Sequence, residues 1–125
     1  MEKKILIVED EEMIRSPLVQ KLNSENLKVL EADNGDDGFQ LALTERPAVI
    51  LLDISLPTIS GMQVMKMIRE KDEWGKKVPI IILTNLEAND EIMDGVVNDN
   101  PAYYIVKANS TLESVVEKIK SCLPL

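Results

Sequence analysis

The sequence predicts an α/β protein: a doubly wound parallel sheet of five strands with helices on both faces. Three observations predict it. Short apolar runs recur five times along the chain, with helical stretches between them. Two of those runs, Ala48–Leu52 and Pro79–Leu83, are apolar throughout rather than alternating, as strands covered on both faces should be. The connections are short and carry helix start and stop signals, which suits right-handed crossovers. At 125 residues and 45% hydrophobic, the chain has room for one domain with a real core and little room for a second, so a single domain over 1–125 is expected.

Taken in order, Lys4–Val8 is the first strand. A helical stretch follows from about Glu12 to Asn23, where Pro17 should remove one backbone hydrogen bond and bend the helix unless it lies in the first turn. Leu27–Leu30 is shorter and carries Lys28, which suits an edge strand. Asn34 can cap a helix from Gly35 to Glu45 that stops ahead of Pro47. After the central strand Ala48–Leu52, the positions Met62, Val64, Met65 and Ile68 mark a helix beyond Gly61. Pro79–Leu83 is the second central strand, Ala88–Asn98 a weaker helix, and Tyr103–Val106 the last strand. The final helix has the clearest pattern: Ser110 and Glu113 form a capping-box pair, Leu112, Val115, Val116, Ile119 and Leu123 make one apolar stripe, and Pro124 ends it.

Composition excludes several functions. A net charge of −8 argues against tight binding of nucleic acid by this domain, because that affinity comes from clustered Lys and Arg. No apolar run approaches the roughly 20 residues needed to span a bilayer, so no membrane insertion is expected. Cys122 is the lone cysteine, which points to a reducing, cytoplasmic location. With no histidine, the chain lacks histidine triads, most catalytic zinc sites and any phosphohistidine-donor role. Chemistry here must run on carboxylates, hydroxyls and lysine.

In a doubly wound sheet the functional residues lie just past the carboxyl ends of the strands. The first strand ends in Glu9 and Asp10, the third runs into Asp53, the fourth into Thr84 and the fifth into Lys107. Each has a bland explanation alone: an acid can cap the next helix, an aspartate can close a turn, a lysine can be a solvated charge. Together they put three carboxylates, a hydroxyl and an ammonium on one sheet edge.

This ordered set resembles the response-regulator receiver domain, and the resemblance covers essentially the whole chain. The matching residues are Glu9-Asp10 after the first strand, Asp53 with Pro57 and Gly61 after the third, Thr84 after the fourth, and Tyr104 and Lys107 at the fifth. The resemblance implies a flavodoxin-like (βα)5 fold with strand order 2-1-3-4-5. It implies Asp53 as phosphoacceptor, assisted by Lys107 and Thr84, with Thr84 and Tyr104 as the switch. Mg²⁺ would be bound by Asp10, Asp53 and the Ser55 backbone carbonyl, with Glu9 acting through water; clustered carboxylates favour such a hard divalent ion. The implied donor is a histidine kinase or phosphotransfer protein, and the implied recipient of the signal is a downstream protein or output domain. Such a domain is a phosphoacceptor with self-catalysed transfer and loss of the phosphoryl group, not an enzyme in the ordinary sense.

The chain departs from the family at Ala108, where proline usually follows the lysine, often with a cis bond. A cis Lys107–Ala108 bond would cost about 3–4 kcal/mol, so the loop either bears strain or takes another path. Asn85 and apolar Leu86 follow Thr84 where a small residue is usual, and Asn98-Asp99-Asn100-Pro101 replaces the usual glycine-alanine turn. Three other readings compete. A haloacid-dehalogenase-type phosphatase expects aspartate where Ser55 stands. A flavin carrier needs a phosphate-cradling loop after the first strand, where this chain has only acids. A receiver-like interaction module working without phosphorylation is the third.

Overall fold

In the computed structural model, which describes residues 3–86 and 89–124, alternate residues of each central strand face two separate cores. The strands are β1 (Lys4–Val8), β2 (Lys28–Ala32), β3 (Val49–Leu52), β4 (Ile80–Thr84) and β5 (Tyr103–Val106), all parallel in the order β2-β1-β3-β4-β5. Every residue of β3 and β4 is buried, as their unbroken apolar sequence predicts. The sheet is the expected one, with β2 at an edge and displaced by one residue from the predicted start.

Helices α1 (Glu12–Ser24) and α6 (Leu112–Cys122) cover one face, with Leu18, Leu22, Val115, Val116 and Ile119 packed on Ile5, Ile7, Val49, Leu51, Ile81 and Leu83. On the other face lie α2 (Gly35–Glu45), α3 (Gly61–Lys71), α4 (Glu73–Lys77) and α5 (Asp90–Asp99). There Ala42, Val64, Met65 and Ile68 meet Leu6, Val8, Ile50, Leu52, Ile80 and Ile82, with Trp74, Ile92 and Tyr104 at the margin. Truncating a fully buried member such as Ile50 to alanine would cost about 2–5 kcal/mol.

Four local features differ from expectation or refine it. Pro17 lies well past the first turn, and α1 runs through it; the carbonyl it leaves without a donor belongs to Met13, which is 91% exposed and open to water. The capping box of α6 is built by Thr111 and Ser114, not by Ser110 and Glu113: Ser114 N donates to Thr111 Oγ1 at 3.1 Å and Thr111 N to Ser114 Oγ at 2.9 Å. The register moves by one because Ser110 is already used, its hydroxyl donating to the Lys107 carbonyl at 3.0 Å. Helix α4 was not predicted, since five residues are too few to show a period; Asp72 caps it by accepting from Gly75 N at 2.9 Å. The predicted start of the fourth long helix at Ala88 lies outside the described residues, and α5 begins at Asp90 with Asn89 as its cap.

Candidate functional site

Among the described residues, the buried polar and charged ones are Glu9, Asp53 and Thr84, and all three sit just past or at the carboxyl ends of β1, β3 and β4. Parallel pairing sets Glu9 and Asp53 level and puts Thr84 one residue further along, since Val8 is opposite Leu52 and Leu52 opposite Ile82. Backbone bonds extend the sheet by one residue beyond the strands, from Glu9 N to Ala32 O at 3.0 Å and from Asp53 N to Val8 O at 3.1 Å. The loop after Asp53 folds back so tightly that a Cβ on Gly61 would lie 1.9 Å from the Asp53 carbonyl oxygen. Only glycine admits that approach, and Gly61 N donates to Ile54 O at 2.8 Å to close it.

Lys107 is the cation of the site. Its Nζ lies 2.8 Å from Asp53 Oδ2, 2.6 Å from Glu9 Oε1 and 3.0 Å from Glu11 Oε1. The contact with Glu9 has the distance of an ion pair without the angles of a hydrogen bond. Burial works against the ammonium, but the close contacts with Asp53, Glu9 and Glu11 outweigh it and hold its pKa above the usual lysine value. Burial pushes the Glu9 carboxyl up to about 7, with the charge of Asp53 adding to the rise and the Lys107 and Glu11 N–H contacts opposing it.

No cis peptide bond occurs among the described residues, so Lys107–Ala108 takes the other path left open above. Residues Lys107–Asn109 form a 3₁₀ turn, closed by Ser110 N and Ser110 Oγ on the Lys107 carbonyl at 3.2 and 3.0 Å. That turn aims the ammonium at Asp53.

The remaining candidates fall into two groups. Asp10 is exposed, and its carboxylate joins those of Glu9, Glu11 and Asp53 in a set whose ligand atoms lie within 4.8 Å of one another. Ser55 is beside it, its N–H donating to Asp53 Oδ1 at 3.2 Å. An all-oxygen donor set of this kind can hold a hard cation. Thr84 and Tyr104 are joined through one residue: Leu86 N donates to Thr84 Oγ1 at 3.4 Å, and Tyr104 OH donates to Leu86 O at 2.7 Å. Burial, then the charge of Asp53, raises the Tyr104 pKa.

Sequence reasoning missed Glu11. The signal was present in the unbroken acidic run Glu9-Asp10-Glu11-Glu12, but only the loop geometry decides which acids of a run turn inward.

A family model for the response regulator receiver domain matches residues 5–120. The transcriptional regulatory protein SrrA of Staphylococcus aureus is 38% identical over 123 residues, which is 98% of this chain and 48% of that protein. This chain therefore spans about half the length of the curated relatives it matches. A CheY-like receiver domain protein from Methanospirillum hungatei superimposes with a TM-score of 0.86 at 26% identity, covering 97% of this chain and 93% of that one. The BeF3-activated N-terminal receiver domain of Klebsiella pneumoniae RstA gives a TM-score of 0.83 at 24% identity over 98% and 100%, a likeness of fold. Among the described residues, no helix is long and apolar enough to cross a membrane. Sheet order, acidic edge and a match running nearly end to end agree on one family, and the chain belongs to the response regulator receiver domains of two-component systems.

Proposed function

We propose that Asp53 accepts a phosphoryl group from the phosphohistidine of a histidine kinase or phosphotransfer protein, and that the modified site repacks a surface read by a downstream protein or output domain. The observation that carries this reading is the setting of Asp53, buried at the sheet edge with one carboxylate oxygen on Lys107 and the other on the Ser55 N–H. A carboxylate oxygen attacks phosphorus, the P–N bond to the donor imidazole breaks, and the imidazole leaves with the electron pair and takes up a proton. Such transfers depend on positioning and on neutralising charge. Lys107 supplies a fixed positive charge beside the acceptor. Mg²⁺ would be held by Asp10, Asp53 and the Ser55 carbonyl, with Glu9 acting through water, and would supply positive charge against the phosphoryl oxygens.

Thr84 accepts from the Leu86 N–H and keeps its own hydroxyl proton for a phosphoryl oxygen. Turning that hydroxyl inward draws on Leu86, whose carbonyl holds Tyr104, so a charge placed on Asp53 reaches β5. Asp53 changes state and is restored by hydrolysis, which makes the domain a switch and not a turnover enzyme. The domain acts in the cytoplasm without contacting nucleic acid itself. The complete acid–lysine set favours this reading over an interaction module that works without phosphate.

Intact mass after incubation with acetyl phosphate tests it. The wild type should gain one phosphoryl group only with Mg²⁺ present, and Asp53→Asn should gain none. No gain by folded wild-type protein would overturn the reading.

A further inference from the structure

The three carboxylates on Lys107 are not equivalent. The side chains of Asp53 and Glu9 are 4% and 3% exposed, whereas that of Glu11 is 48% exposed. The Lys107 ammonium donates hydrogen bonds to Asp53 and Glu11 and lies 2.6 Å from Glu9 Oε1 as an ion pair. Glu11 also stands at the N-cap of α1, yet its side chain accepts no capping hydrogen bond. Its backbone carbonyl instead receives Ile14 N and Arg15 N at 3.0 and 2.9 Å, and its own N–H is held by Glu9 Oε2 at 3.1 Å. The peptide is fixed, and the carboxylate is left for Lys107.

We propose that Glu11 is a positioning residue that holds Lys107 over Asp53 in the resting protein and must release it before Lys107 can serve a phosphoryl group there. Of the three partners, it alone can return to water without leaving a buried charge behind. Its own negative charge, close to the same ammonium, also opposes the arrival of a phosphoryl dianion. Glu11 therefore biases the site toward its unmodified state.

Two measurements test this, and only the first rests on Asp53 being the acceptor. With acetyl phosphate and Mg²⁺, Glu11→Gln keeps the shape and removes the charge, and should be labelled about fivefold faster than wild type, the scale of a half-exposed ion pair. Glu11→Asp keeps the charge and should stay within about twofold. Labelling of Glu11→Gln at or below the wild-type rate, or equal acceleration by Glu11→Asp, overturns the proposal. So does slower labelling that needs more Mg²⁺, which would make Glu11 a metal ligand.

The second measurement is a thermal double-mutant cycle in metal-free buffer. Glu11→Gln should lower the melting temperature by about 2 °C in the wild type and leave it unchanged in Lys107→Met. An equal loss in both backgrounds overturns the proposal. If wild type takes no label, the phosphoacceptor reading fails while this cycle still decides what Glu11 holds.

Discussion

Lys107 and Arg69 are both long cations drawn into the protein, and they are satisfied in opposite ways. Lys107 meets three carboxylates. Arg69 meets backbone carbonyls: Nε donates to Asp99 O at 2.8 Å, Nη1 to Gly75 O and Val78 O at 2.9 and 2.6 Å, and Nη2 to Asn100 O at 3.1 Å. Those oxygens lie in or at the ends of α4 and α5, where helices leave carbonyls without partners and carry the negative end of their dipoles. Burial holds the Arg69 pKa below its usual value, with Asp99 opposing, yet a guanidinium stays charged. The rigid fork of Arg69 thus ties a framework whose partners never change. The compact ammonium of Lys107 faces side-chain carboxylates instead, which under the proposed function are exchanged or modified as a switch requires.

The largest expected effect follows from breaking the framework side. Arg69→Ala leaves four carbonyls without their donor and should destabilise the fold by about 4 kcal/mol in urea unfolding. Arg69→Lys should recover little, because one ammonium cannot span oxygens spread over two helix ends. Labelling of Asp53 in protein that remains folded should be unaffected, since Arg69 touches none of the site residues.

A pH titration sharpens the other side. Glu9 is raised to about 7 in the fold from 4.5, so between these values the native state binds a proton that the unfolded chain has released. That contribution is fully present below about pH 4.5 and is lost as pH rises through about 7, a change of about 3 kcal/mol in metal-free buffer. Subtracting the stability curve of Glu9→Gln from that of wild type should isolate it. A difference curve that is flat from pH 4.5 to 7 would show that Lys107 keeps Glu9 ionised throughout.

The sequence disclosed the framework better than the contacts. Five strands and the two-sided burial of β3 and β4 were legible because apolar runs report burial directly, whereas the strand order followed only from the family resemblance. The convergence of Glu9, Asp53 and Lys107 was legible because topology alone places strand ends together. Arg69 was not, since a bond to a backbone carbonyl leaves no mark on the partner's residue type. Glu11 and the α6 cap were missed for a shared reason: each depends on a one-residue register in a loop. The cap gives a smaller test, in which Thr111→Ala should cost about 1 kcal/mol and Glu113→Ala only a few tenths.

The smallest effect concerns strain in the loop that follows Asp53. Thr58 has φ 73°, a left-handed conformation that a β-branched residue adopts at a cost of roughly 1–2 kcal/mol. Its hydroxyl accepts from Asp36 N at 3.3 Å, and the neighbouring Pro57 carbonyl accepts from Gly35 N at 3.1 Å, so the loop is fastened to the first turn of α2. Asparagine tolerates this conformation and still offers an acceptor, so Thr58→Asn should stabilise the fold by about 0.5–1 kcal/mol. Thr58→Gly should gain less, because it loses the acceptor and loosens the unfolded chain. Since these contacts run to α2 and not to the carboxylates, Asp53 labelling in Thr58→Asn should stay within about twofold of wild type. A stabilised variant with slower labelling would move Thr58 from the framework to the switch, where its strain would help hold the loop around Asp53.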